Sequence, residues 1–193
     1  MCWFNRWIII VLILLFSISC NANEIKKYNL YFYKYTKEYF GDFVDWKYFK
    51  AQGIAESALI YDAVSWVGAA GIMQIMPGTW KDLTDKLGFK IDGIFDPEYN
   101  IAAGIYYNRY LWNNWRAKRT VKDRLKLMYA CYNGGLKNVL DSQKICIITN
   151  TCEDCNSWSC ISSYADKVDS WKHEESLTYV ERIFKIYERI QGE

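Results

Sequence analysis

The chain has 193 residues, with 24 Lys and Arg against 22 Asp and Glu and a formal net charge of +2. That length suits one domain and can bury a core without help from metals or disulfides. The near-even charge, with no long block of one sign, argues against nucleic acid as a partner, because phosphate binding needs a basic face.

The N-terminal stretch "MCWFNRWIIIVLILLFSISC" has one positive charge, Arg6, followed by an apolar run from Trp7 to about Ile18. The run is short for a membrane span and suits the core of a signal peptide over residues 1–19, so the protein is expected to be exported to the periplasm. Two exits fit the residues that follow. "FSISC" resembles a bacterial lipobox, which would leave Cys20 lipidated and membrane-anchored, while the small residues around Ala22 suit cleavage and release. An uncleaved anchor is the third reading.

Residues 20–42 form an N-terminal segment, and helical signals begin after it. Asp45 can cap a helix through "WKYFKAQGIAES", where Trp46, Phe49, Ile54 and Ala55 recur at helical intervals. Pro77 opens another helix, with Trp80, Leu83 and Leu87 on one face. Asp96 and Pro97 start a third, whose stripe of Ile101, Ile105, Tyr106, Tyr110 and Leu111 is predicted to face the core. Thr120 and Asp123 form a capping box for a fourth, which closes at Gly134 and Gly135. The last helix carries Tyr179, Ile183, Phe184, Tyr187 and Ile190. Between these two lies an insertion at about 143–172, containing "CIITNTCEDCNSWSC". In an oxidising compartment Cys146, Cys152, Cys155 and Cys160 read as disulfides, with three possible connectivities. The Cys152–Cys155 spacing also fits a zinc knuckle. Cys131 falls on an apolar helix face and reads as a small buried residue.

His173 is the only histidine, so a His-rich metal centre is excluded, and neither a nucleophile elbow nor a GxxxxGK phosphate loop occurs. A Cys131–His173 dyad is the residual nucleophilic option. No cofactor is expected. Carboxylate chemistry remains, and it centres on "AESALIYDAVSWVGAAGIMQIMP", which has Glu56, Asp62 and no Lys or Arg. Glu56 falls at a helix C-terminus, whose partial negative charge disfavours a second one. Apolar neighbours such as Ile54, Ile72 and Met73 would add desolvation. Both effects raise a carboxyl pKa toward the range of a general acid near neutral pH. By spacing alone, an exposed glutamate at a helix end is the better fit.

A longer pattern separates the two. Glu56-Ser57, Ser65 and "GAAGIMQIMPGT", then "FDPEYNIAAGIYYNRYL" and "ACYNGG", follow in order. Together they resemble the signature of bacterial lytic transglycosylases of the soluble type, whose fold is related to goose-type lysozyme. Gly134 stands where that family usually has Ala. In the last helix, "ESLTYV" keeps Glu175 and Tyr179 but has Leu177 where Arg is common.

The resemblance implies a mainly α, lysozyme-like catalytic domain over 43–193, with the cysteine loop as an insertion. It implies that Glu56 acts as acid and then base on the bond between N-acetylmuramic acid and N-acetylglucosamine in peptidoglycan glycan strands, closing a 1,6-anhydro ring. The sugar's acetamide stands in for a second carboxylate. Ser65 would hold that acetamide or orient Glu56. Met73 and Gln74 would line the cleft floor, with Tyr132 and Asn133 opposite and Tyr179 as a further wall. Two alternatives stay open: a hydrolytic muramidase using Asp62 or another carboxylate as base, and a non-catalytic wall-binding protein. Secretion or conjugation machinery is a candidate partner, and the stapled loop is a candidate partner or specificity surface.

Overall fold

The computed structural model describes residue 26 and residues 28–192. The expected leader over 1–19, Cys2 and the candidate lipidation site Cys20 lie outside the described residues. Among the described residues the structure is helical, and β structure is limited to isolated bridges. In chain order the elements are α1 (Asn29–Phe40), α2 (Lys47–Ser57), α3 (Pro77–Leu87), a 3-10 turn (Ile91–Phe95) and α4 (Pro97–Asn113). There follow α5 (Val121–Gly134), α6 (Leu136–Thr149), the short α7 (Trp158–Ser162), a second 3-10 turn (Ala165–Lys167) and α8 (His173–Ile190).

Local chemistry fixes most boundaries. Asp96 accepts from Tyr99 N–H at 3.1 Å and Thr120 from Asp123 N–H at 3.0 Å, filling orphan donors at two helix starts. Pro77 and Pro97 occupy first helical positions, where no N–H is needed. Asp45 accepts from Lys47 N–H at 2.9 Å at the start of α2. The N-terminal segment, given no element by its sequence pattern, contains α1. Its buried face of Phe32, Tyr35, Thr36 and Phe40 packs on α4 and α2.

The core is one cluster running through α1, α2, α4, α5 and α8. Phe32, Phe49, Ile101, Ile105, Leu111, Leu127, Met128 and Ile183 expose no surface, and each such side chain contributes about 2 kcal/mol of burial. The predicted α4 stripe holds at Ile101, Ile105 and Leu111. It fails at Tyr110, which is 52% exposed, because the apolar face turns away from it and its ring stacks on Tyr107 instead. α8 packs along both α2 and α5 and so brings two distant segments together.

The cysteine insertion is more helical than expected, since α6 runs through Cys146. Cys146 pairs with Cys155 and Cys152 with Cys160, with Cα–Cα distances of 5.7 and 5.9 Å. The zinc-knuckle reading is thereby corrected: Cys152 and Cys155 have different partners, and all four sulfurs are in disulfides. Cys131 is buried and free, and burial pushes its thiol well up. The two interlocked bonds pin the excursion to α6. Converting the four cysteines to serine is expected to lower the unfolding free energy by about 3–5 kcal/mol. Urea unfolding of the oxidised and substituted proteins measures this; equal stabilities would contradict it.

Candidate active site

Residues 58–76 connect α2 to α3 and form the floor of a cleft. α2 ends at Ser57, and Ala58 (φ 54°) and Leu59 (φ 64°) both take left-handed conformations that turn the chain sharply away. Ser57 Oγ donates to Ile72 O at 2.9 Å and ties the helix end to the returning strand of the loop. Two backbone bonds of 3.0 Å join Ala70 and Ile75, and Gly71 N–H reaches Ala63 O at 2.9 Å. The buried Asn100 of α4 then clasps the loop. Its Oδ1 accepts from Met73 N–H at 2.7 Å, and its Nδ2 donates to Ala70 O at 3.1 Å. Gly71 (φ 78°) is required there, because a Cβ would overlap the Asn100 carboxamide.

Glu56, in the last turn of α2, is half-buried beside this floor. Tyr179 of α8 donates its hydroxyl to Glu56 Oε1 at 2.5 Å. Burial raises the Glu56 carboxyl to about 7, opposed by the Tyr179 bond and by the charge of Arg182. The 55–77 stretch has no basic residue, but tertiary packing supplies Arg182 from α8.

Three hollows run along one face. The first, about 430 Å³, is lined by Glu56, Asn133, Tyr179, Arg182 and the exposed Glu174 and Glu175. The second, about 340 Å³, shares Asn133 and adds Gln74, Thr79, Tyr107 and Tyr132. The third, about 310 Å³, shares Thr79 and Tyr107 and continues to Tyr110 and Lys86. Together they make an elongated cleft past Glu56, shaped for a linear chain rather than a small enclosed ligand. Among the described residues, no group of three or more His, Cys, Asp or Glu could hold a metal ion.

The expected site residues divide into four groups. Glu56 and Tyr179 line the first hollow, Gln74 and Tyr132 the second, and Asn133 both. Gln74 holds a left-handed backbone (φ 47°), and its amide donates to Gly71 O at 3.0 Å and Ala63 O at 3.2 Å. The Tyr132 hydroxyl donates to Met73 O at 2.7 Å, bridging α5 to the floor. Ser65 braces the loop itself: its Oγ accepts from Ala69 N–H at 3.0 Å. Met73, expected on the cleft surface, is corrected to a core residue. It has no exposed surface, and its side chain packs so tightly on Gly104 that a Cβ there would meet Met73 Cβ at 2.7 Å. Asp62 is exposed and lines none of these hollows.

The sequence reading did not single out Arg182, Glu174, Trp171 or Ser176. Trp171 Nε1 donates to Ser176 Oγ at 2.9 Å, and Ser176 donates to Asn133 Oδ1 at 2.7 Å, which fixes Asn133 at the junction of two hollows. Gly134 makes this possible, because a Cβ would overlap Trp171 Nε1 and collide with Ser176 Oγ. Its place in the motif, where Ala was expected, was the one available signal.

The sequence profile of the family described as Transglycosylase SLT domain matches residues 36–146, more than half of the chain. Membrane-bound lytic murein transglycosylase F of Maricaulis maris is 28% identical over 135 residues, spanning 70% of this chain and 28% of that protein. The chain thus corresponds to under a third of that relative's length. The fold is similar to that of an inactive variant of lytic transglycosylase Slt from Pseudomonas aeruginosa, with a TM-score of 0.63, 22% identity and coverage of 83% and 23% of the two chains. It is also similar to the 70 kDa soluble lytic transglycosylase of Escherichia coli, with a TM-score of 0.62, 25% identity and coverage of 86% and 25%.

The raised carboxyl has a thermodynamic consequence. Folded Glu56 stays protonated to about pH 7, against an ordinary value of 4.5. Between these values the unfolded chain binds fewer protons, so the Glu56 contribution to stability falls as pH rises and is lowest above about 7. Glu56→Gln removes that dependence. The stability of the variant relative to the parent is expected to rise by about 3 kcal/mol between about pH 4 and about pH 8. Urea unfolding at both pH values checks it, and a pH-independent difference would show that the carboxyl is not raised.

Proposed function

The chain belongs to the transglycosylase SLT family, and from that premise we propose that it is an exported lytic transglycosylase acting on peptidoglycan glycan strands. The proposed catalytic region is 43–193, following a leader over 1–19. The observation that carries this reading is a single partly buried carboxylate, Glu56, held near neutral pKa on the wall of an elongated cleft.

In the proposed reaction, neutral Glu56 donates its proton to the oxygen linking N-acetylmuramic acid to N-acetylglucosamine as that bond breaks. The acetamide of the muramyl sugar shares the positive charge at C1. Carboxylate Glu56 then takes the proton of the muramyl C6 hydroxyl as its oxygen attacks C1, so the 1,6-anhydro ring closes and no water is consumed. One group serving both steps needs a pKa close to the working pH, which the opposition of burial and the Tyr179 bond supplies. Gln74, Tyr132, Asn133 and Tyr179 are the proposed substrate-facing residues. Ser65, which also braces the loop through Ala69 N–H, is proposed to hold the acetamide or orient Glu56.

A hydrolytic muramidase is the second reading. One observation favours it: Glu174 and Glu175 line the same hollow as Glu56 and could activate water. Mass spectrometry of digested cell-wall sacculi separates the two, with 1,6-anhydro-muramyl ends expected and reducing ends alone supporting hydrolysis. Glu56→Gln is expected to lower the rate of release by at least about 1000-fold with the fold intact. Full lysis by this variant would remove Glu56 from the mechanism, and no release by the parent protein would favour a wall-binding role.

A further inference from the structure

Two buried polar side chains behind Glu56 have no part in the reaction as proposed. Gln52 lies on α2 one turn before Glu56, and Asn108 lies on α4; neither exposes any surface. Asn108 Nδ2 donates to Gln52 Oε1 at 2.7 Å, and Gln52 Nε2 donates to the Tyr179 hydroxyl at 3.1 Å. The Tyr179 hydroxyl in turn donates to Glu56 Oε1 at 2.5 Å. Every link of this chain donates toward the carboxyl.

The direction follows from what each group can still do. The bond from Asn108 holds Gln52 Oε1 toward α4, so the amide presents its N–H to Tyr179. The Tyr179 oxygen then accepts from Gln52, so its own proton turns to Glu56. Mutual satisfaction does not account for the pair, because Asn108 Oδ1 finds no hydrogen-bond partner among the described residues. A buried amide with an unpaired atom costs stability that two leucines would not.

Resting on Glu56 as the acid and base of the proposed reaction, we infer that Gln52 and Asn108 are positioning residues that lock the Tyr179 hydroxyl into donating to Glu56. Locked in this way, the hydroxyl holds the carboxyl against the cleft wall and favours its return to carboxylate after the first proton transfer. A free hydroxyl could instead rotate and accept from the neutral acid, which would keep Glu56 protonated when a base is needed. Tyr179, Arg182, Glu174 and Glu175 face the Glu56 hollow from α8, and the Tyr132 hydroxyl of α5 lies close enough to feel the charge of the same carboxyl. Gln52 and Asn108 are uncharged, so replacing them leaves every one of these groups in place.

The test is the Gln52→Leu/Asn108→Leu double variant, with Glu56 titrated by NMR of its carboxyl carbon and assigned with Glu56→Gln. The midpoint is expected to move alkaline by about 1 pH unit. On sacculi, kcat is expected to fall about 10-fold with little change in KM. An unmoved midpoint overturns the inference and leaves the pair a packing feature. In a Tyr179→Phe background the same double substitution is expected to leave the midpoint where it is; an equal shift there would mean that the pair acts without Tyr179. Should the double variant not fold, Asn108→Ala frees the Gln52 amide and is expected to shift the midpoint the same way by less, and no shift again overturns the inference. The titration needs no substrate, so it decides this point even if the protein releases no anhydro ends.

Discussion

The hydrogen bond from Tyr179 to Glu56 is the contact on which the rest of the site depends. It joins the end of α2 to α8, segments separated by 123 positions in the chain. It also bears on the chemistry, because burial raises the Glu56 carboxyl and a bond to the carboxylate pulls it back. A carboxyl balanced in this way can give a proton and take one at the same pH. In the proposed reaction neither role needs a second carboxylate, because the substrate supplies the nucleophile.

That balance requires walls that do not move. The floor between α2 and α3 is long and mostly turn, and such a segment would ordinarily be mobile. Here it is held by side chains from outside: Asn100 from α4, Tyr132 from α5 and Ser57 from α2 each bond its backbone. Met73 anchors it from below by packing against Gly104. The left-handed backbone at Ala58, Leu59 and Gln74 costs local conformational energy, and this outside clasp holds those residues in it.

The disulfide-linked excursion is not separate from the cleft. It leads into Trp171, whose indole bonds Ser176, and Ser176 in turn bonds Asn133. A loop that reads as an appendage therefore buttresses a residue shared by two hollows of the cleft. Gly134 leaves the space for it, which gives a physical reason for glycine at a position where the motif leads one to expect alanine.

Much was legible in the sequence because it rests on local rules. Helix starts at Asp96 and Thr120, prolines at first positions and apolar spacing are set by neighbours within a turn or two, so α2, α3, α4, α5 and α8 could be placed from them. Motif order likewise pointed to Glu56, Gln74, Tyr132, Asn133 and Tyr179. The pattern was silent on α1, whose stripe is diluted by polar and exposed residues, and it misjudged Tyr110, which falls just off the buried face. Cysteine content announced disulfides, whereas their pairing waited on how α6 delivers Cys146 to Cys155. The partners that tune Glu56 were decided by the tertiary structure. Arg182 reaches it, and Gln52, bonded from behind by Asn108 of α4, reaches Tyr179 beside it, through the packing of α8 on α2. A carboxyl's proton affinity is a sum over everything near it in space, and most of what lies near Glu56 is far from it along the chain.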